Sequence, residues 1–192
     1  MGDESPRGKN DAPEQVPATT QALLLLHHQL FDAPPATLQV SDLQAWHAVL
    51  GAALGIRAGA WRTGDVTFGS YYGLPPSEID AAVHATYAHA NEHLDYLSYL
   101  PDAADRLEGV VMVSAYVHAR LIRIHPFEDG NGRTARLVLT GQFLTAGFDP
   151  PNLSRLSRDV YLSALNRYNH LGTDDLYCPA LDPLKKVILD LL

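Results

Sequence analysis

Between Ile124 and Arg136 the chain reads Ile-His-Pro-Phe-Glu-Asp-Gly-Asn-Gly-Arg-Thr-Ala-Arg, a run whose residue types suit the handling of a phosphate ester. His125 can act as a general base, because an imidazole with a pKa of about 6.5 is largely neutral at neutral pH and can accept a proton. Asp129 offers the hard oxygen that magnesium prefers, an ion usually held by few carboxylates together with substrate phosphates. Gly130 and Gly132 open backbone conformations closed to residues with a Cβ, so that consecutive N–H groups can converge on an anion. Arg133 and Arg136 lie three apart, where both guanidinium forks can reach one polyphosphate.

These residues need rigid elements on both sides. Val110, Val113, Val117, Leu121 and Ile124 recur at helical spacing, while Val111, Ala115 and Ile122 make the opposite side apolar, so a buried helix leads into the segment. Pro126 disfavours helical geometry in the residue before it, which predicts a stop at His125 with the imidazole projecting from a fixed end. Leu137, Val138, Leu139, Phe143 and Leu144 then resume an apolar run, predicting a second helix from about Gly132. Its free N–H groups and positive dipole end would face the same anion. Cations in a first turn oppose the dipole, so Arg133 and Arg136 are better explained there by a bound anion than by stability.

The segment resembles the signature of the Fic family, His-x-Phe-x-Asp/Glu-Gly-Asn-Gly-Arg-x-x-Arg. Every specified position is filled, by His125, Phe127, Asp129, Gly130, Asn131, Gly132, Arg133 and Arg136. It differs from the Doc branch, in which Asn-Lys-Arg replaces Gly-Asn-Gly-Arg and phosphate is transferred. The resemblance implies an all-α fold, a Fic-type helical bundle with a small β-hairpin flap. It also implies magnesium-dependent transfer of AMP from ATP to a Ser, Thr or Tyr hydroxyl of a target protein, with release of pyrophosphate. By position, His125 would deprotonate the hydroxyl, Phe127 would anchor the loop in the core, and Asp129 would hold Mg2+. Gly130, Asn131, Gly132, Arg133 and Arg136 would bind the phosphates. A phosphate nest is indifferent to the base, so transfer of another nucleotide or of phosphocholine, removal of AMP, and a small-molecule acceptor all stay open. A module that binds nucleotide without turnover is the reading from a different class, and the presence of His125 argues against it.

Along the rest of the chain, residues 1–18 are polar and broken by Pro6, Pro13 and Pro17, which predicts a flexible tail ahead of one domain over 19–192. Thr19 or Thr20 would cap a first helix, ended by Pro34-Pro35, and Ser41 a second with Leu43, Trp46, Leu50 and Leu54 on one face. Over 61–74, Val66-Thr67-Phe68 and Ser70-Tyr71-Tyr72 lie between glycines and predict a hairpin. In the family such a flap holds the target segment as an added strand, so Val66, Thr67, Phe68, Ser70, Tyr71 and Tyr72 are the expected docking residues. A helix from Ser77 carries His89-Ala90-Asn91-Glu92-His93, the inverted zinc-protease pattern, for which a third ligand would have to come from elsewhere. Solvent-facing histidines are the simpler reading. Gly147 and Pro150-Pro151 end the helix after the signature, and Asn152 or Ser154 would cap the next. In that next helix the resemblance places Tyr161, Asn166 or Asn169 against adenine or ribose, Tyr161 being equally suited to the core. Leu181 to Leu192 predicts a last helix.

The chain has 192 residues, 46% of them hydrophobic, enough for one core without staples. A net charge of −8 and the lack of a Lys/Arg cluster argue against a nucleic-acid partner. The single cysteine, Cys178, excludes an intramolecular disulfide and a cysteine zinc cage and fits a reducing compartment. No apolar run is long enough to span a bilayer, so no membrane partner is expected and the expected location is cytoplasmic. Many Fic proteins restrain themselves with an inhibitory Ser/Thr-x-x-x-Glu-Gly/Asn helix. Glu4 and Glu14 lack that spacing and the last helix has no glutamate. Either a separate antitoxin-like protein inhibits the enzyme, as in the family's toxin and antitoxin pairs, or the enzyme is unrestrained.

Overall fold

The computed structural model describes residues 16–192. Most of the expected tail therefore lies outside the described residues. Seven α-helices follow in chain order among those residues: α1 (Ala18–Asp32), α2 (Val40–Leu54), α3 (Ile79–Ser98), α4 (Ala103–Ile124), α5 (Asn131–Thr145), α6 (Arg158–Leu171) and α7 (Asp182–Leu189). Between α2 and α3 sits an antiparallel hairpin, β1 (Thr67–Phe68) and β2 (Tyr71–Tyr72), paired Thr67 to Tyr72 and Phe68 to Tyr71 around Gly69 in the left-handed region. The fold is thus all-α with a small flap.

Helix α4 is the axis of the bundle. From Gly109 onward apolar residues lie on most of its sides, so burial nearly all round is the stable outcome there. Val110, Val113, Val117, Leu121 and Ile124 are buried together with Val111 and Ala115. Helices α3 and α5 flank it most extensively, and α6 and α7 cover a further side. Leu184, Ile188 and Leu191 contribute to this main core, and Cys178 packs among them as a small buried residue. A second cluster, Leu26, Leu30, Leu50 and Leu137, joins α1 and α2 to α5. Each such leucine contributes about 1.5–3 kcal/mol by leaving water.

Several helix starts differ from the sequence expectation. Pro17, not Thr19 or Thr20, precedes α1, and it offers no side-chain cap. Helix α2 starts at Val40 after Gln39, whose N–H donates to Asp42 at 2.7 Å, so Ser41 already lies inside the helix. The segment after the flap begins with a tight turn, Pro76–Glu78, before α3. Asn152 caps a short turn at Leu153–Arg155 rather than α6, which follows Ser157.

Candidate active site

Helix α4 ends as expected, and its end residue is unusual. His125 stands at φ 52°, ψ 60°, the only described residue other than glycine with positive φ. Strain of this kind persists only where the surroundings fix it. The His125 N–H donates to the Leu121 carbonyl at 3.0 Å, and Nδ1 lies 3.1 Å from the Ile122 carbonyl. A carbonyl only accepts, so Nδ1 carries the proton and Nε2 keeps a free lone pair. Burial pushes the imidazole pKa below its ordinary value, and the Ile122 hydrogen bond opposes that. The group is therefore neutral at neutral pH, as a general base must be. Phe68 of the flap stacks on its ring, centroids 4.3 Å apart and planes within 4°.

The loop from His125 to α5 is closed by its own residues. Asn131 accepts from the Phe127 N–H at 2.9 Å and returns its amide to the Phe127 carbonyl at 2.9 Å. Phe127 is fully buried. It stacks on His47 at 3.5 Å with planes 2° apart, and Trp61 packs at 5.2 Å. His47, from α2, is 0% exposed. The Gly59 N–H donates to its Nδ1 at 3.0 Å, which makes Nε2 the donor to the Asp129 carbonyl at 3.0 Å. A buried imidazole thus fixes the turn from outside the signature. Burial holds its pKa below the ordinary value as well.

At the start of α5, Gly130 is the N-cap at φ 80°, ψ −4°, and no side chain caps the helix. The first-turn amides belong to Asn131, Gly132 and Arg133. Asp129 accepts from the Gly130 N–H at 2.5 Å with one oxygen and from Arg133 at 3.3 Å with the other. Its carboxylate is largely exposed, so both oxygens are within reach of a cation from solvent. Among the described residues no group of three or more His, Cys, Asp or Glu could cage a metal. That donor set does fit magnesium shared between one carboxylate and a substrate's phosphates.

Arg136, one turn further, lies beside Tyr161 of α6. Tyr161 is 8% exposed, and its hydroxyl meets Nε2 of His118 at 2.7 Å. The other His118 nitrogen lies 3.2 Å from the Ala135 carbonyl, which makes it the donor and Tyr161 the donor to Nε2. The phenol oxygen's lone pairs are then left for Arg136. Burial raises the Tyr161 pKa and the Arg136 guanidinium opposes it; burial lowers that of His118 to about 4. The structure therefore places Tyr161 in the core, under the arginine. The Asn166 side chain is exposed and its carbonyl accepts from the Tyr71 hydroxyl at 3.1 Å. Asn169 is half-buried, with Oδ1 shielded from solvent and without a hydrogen-bond partner.

In the flap, Thr67, Ser70 and Tyr72 are exposed, Tyr72 at 79%, while Val66, Phe68 and Tyr71 are half-buried. His89 and His93 on α3 are half-buried and pack edge to face at 4.6 Å, with Tyr116 and Tyr177 nearby, rather than facing solvent. Two residues were missed by sequence reasoning. His47 occupies a buried position of the α2 face that carries Leu43 and Leu50, and a histidine in an apolar register was the available signal. Arg62 stood out only as flap texture.

Residues 37–142, more than half of the chain, match the model of the Fic/DOC family. The chain is 33% identical over 135 residues to "Protein adenylyltransferase Fic" of Nematostella vectensis, covering 70% of this chain and 29% of that protein. It spans less than a third of the length of the curated relatives it matches, at 29% and 27% for two of them. Among solved structures, Fic-1 residues 134–508 of C. elegans superposes with a TM-score of 0.63 at 26% identity, covering 91% of this chain and 47% of that one. BepC of Bartonella tribocorum, solved with bound AMPPNP, superposes with a TM-score of 0.66 at 17% identity, covering 91% and 82%. At that identity the BepC likeness speaks to the fold alone.

Proposed function

The chain belongs to the Fic/DOC family, and from that premise we propose that it is a protein adenylyltransferase, moving AMP from ATP to a Ser, Thr or Tyr hydroxyl of a target protein. One observation carries the reading. A neutral histidine with Nε2 free ends α4, and six residues later α5 opens with no side-chain cap and with arginines in its first turns. Relatives of about 30% identity that are named protein adenylyltransferases support it.

In this reading the amides of Asn131, Gly132 and Arg133 hold the phosphates at the positive end of α5, and Arg133 and Arg136 neutralise them. Asp129 would hold magnesium, which when bound offsets triphosphate charge. His125 Nε2 takes the proton of the acceptor hydroxyl as its oxygen bonds to the α-phosphorus, and the bond from that phosphorus to the bridging oxygen breaks to release pyrophosphate. Most of the rate gain comes from positioning and fixed charge. The flap supplies backbone for an extended target segment, which fixes a hydroxyl near His125 without demanding a sequence. Restraint by a separate small protein belongs to the same reading: among the described residues the ion pairs do not include one to Arg136.

The test is incubation with α-labelled ATP, magnesium and lysate protein, read by label transfer and pyrophosphate. Wild type should add AMP, and His125→Ala should lose roughly 10²–10⁴-fold of the rate while still binding nucleotide. Equal transfer by both proteins would remove His125 from the mechanism.

A further inference from the structure

Arg62 is 2% exposed. A buried guanidinium normally pairs with a carboxylate; this one is held by main-chain carbonyls. Its Nε donates to the His125 carbonyl at 2.7 Å and Nη1 to that of Gly64 at 2.7 Å. Nη2 donates to Leu74 and, at 3.3 Å, to Ile124. The backbone N–H of the same residue donates to the Pro126 carbonyl at 2.9 Å. One residue thus secures the consecutive carbonyls of Ile124, His125 and Pro126, where α4 ends and C=O groups lack helical partners. It also faces the negative end of that helix. The same side chain grips both roots of the flap, Gly64 ahead of β1 and Leu74 beyond β2. The Leu74 N–H closes the joint on the Ile124 carbonyl at 3.2 Å. Gly73 leaves room for it: a Cβ there would stand 2.6 Å from an Arg62 nitrogen and 3.2 Å from the His125 Cβ.

We propose that Arg62 is a positioning residue for the transfer reaction, locking the end of α4 and the flap roots into one unit. The strand platform that presents the acceptor then keeps a fixed register against the His125 imidazole. Phe68, stacked on that ring, completes the unit from the flap side. The proposal rests on the adenylyltransferase reading above, but its geometry can be tested without turnover. A role in stability alone would leave the imidazole and the flap unchanged in any variant that folds.

The experiment uses the full chain with Arg62→Lys, which keeps the charge and loses the planar fork, Arg62→Gln, and Gly73→Ala. The last crowds the guanidinium from the flap side and leaves Arg62 in place. Hydrogen exchange of the 66–74 amides, the imidazole nitrogen spectrum of His125, and affinity for magnesium ATP are measured. Exchange at Gly73 and Leu74 should rise about tenfold or more, and His125 should lose its single Nδ1–H tautomer, while ATP affinity stays within about twofold. In transfer assays kcat should fall about tenfold or more with KM for ATP unchanged, as small misplacements do. Wild-type exchange and imidazole signals in a folded variant overturn the proposal. If the Arg62 variants do not fold, Gly73→Ala decides on the same readings. A wild-type protein that transfers no AMP defeats the functional reading instead, and the exchange and nitrogen spectra still decide whether Arg62 sets the base and flap.

Discussion

Helices α4 and α5 run side by side through the core, yet their N-termini are finished in opposite ways. At α4, Asp102 turns its carboxylate onto the amides of Ala104 and Asp105, at 2.7 and 3.1 Å, and Asp105 adds a second negative charge in the first turn. At α5 the cap is Gly130, the first turn has no acid, and Arg133 and Arg136 bring positive charge to the positive end. The first arrangement follows what stabilises a helix. The second forgoes about a few tenths of a kcal/mol of capping, a glycine being the cap, and adds repulsion. In the proposed function a terminus so finished receives an anion from outside the chain, and the His125 that precedes it, at positive φ, would be the proton acceptor.

Acid should separate the two ends most strongly. His118, facing Ala135, Tyr161 and Arg136 beneath α5, titrates at about 4 in the folded state against about 6.5 unfolded. Between those values the unfolded chain binds more protons, so this contribution to stability is intact above about pH 6.5 and is lost as pH falls toward 4, by about 3 kcal/mol at most. Denaturant melts from pH 7 to 4.5 should show the loss, and His118→Gln should flatten it. An unchanged slope in the variant would mean that His118 is not held neutral.

Next in size is Arg136→Ala. Losing a charge-assisted contact should weaken magnesium ATP binding by about 1.5–3 kcal/mol, roughly tenfold to a hundredfold, with little effect on melting. A stabilised fold with unaltered affinity would mean the cation is mere surface charge. Smallest is Asp102→Ala at the other terminus, expected to cost about 1 kcal/mol of stability and to leave nucleotide affinity untouched. A fall in affinity there would erase the contrast between the two ends.

The candidate site was legible where its residues are consecutive. From His125 to Arg136 one stretch both makes the turn and carries the candidate residues, so Pro126 and the glycines announce the geometry. The buried α4 and the hairpin were legible through their periods. What stayed hidden comes from far along the chain: His47 reaches Asp129 across 82 positions, and Arg62 reaches His125 across 63. No local pattern encodes such contacts. Tyr161 shows the same limit, since only the packing reveals that its hydroxyl is committed to His118. The helix starts lie two residues ahead of the expected caps, at Pro17 rather than Thr19 and at Gln39 rather than Ser41, a shift that the apolar period does not resolve.

The most direct test of the central claim is a titration of the labelled protein with magnesium ATP, followed through its backbone amide resonances. The account predicts that the largest shifts fall on Gly130, Asn131, Gly132 and Arg133, with Ala104 and Asp105 at the capped terminus unmoved. Shifts confined to other surfaces, or none at millimolar nucleotide, would contradict it.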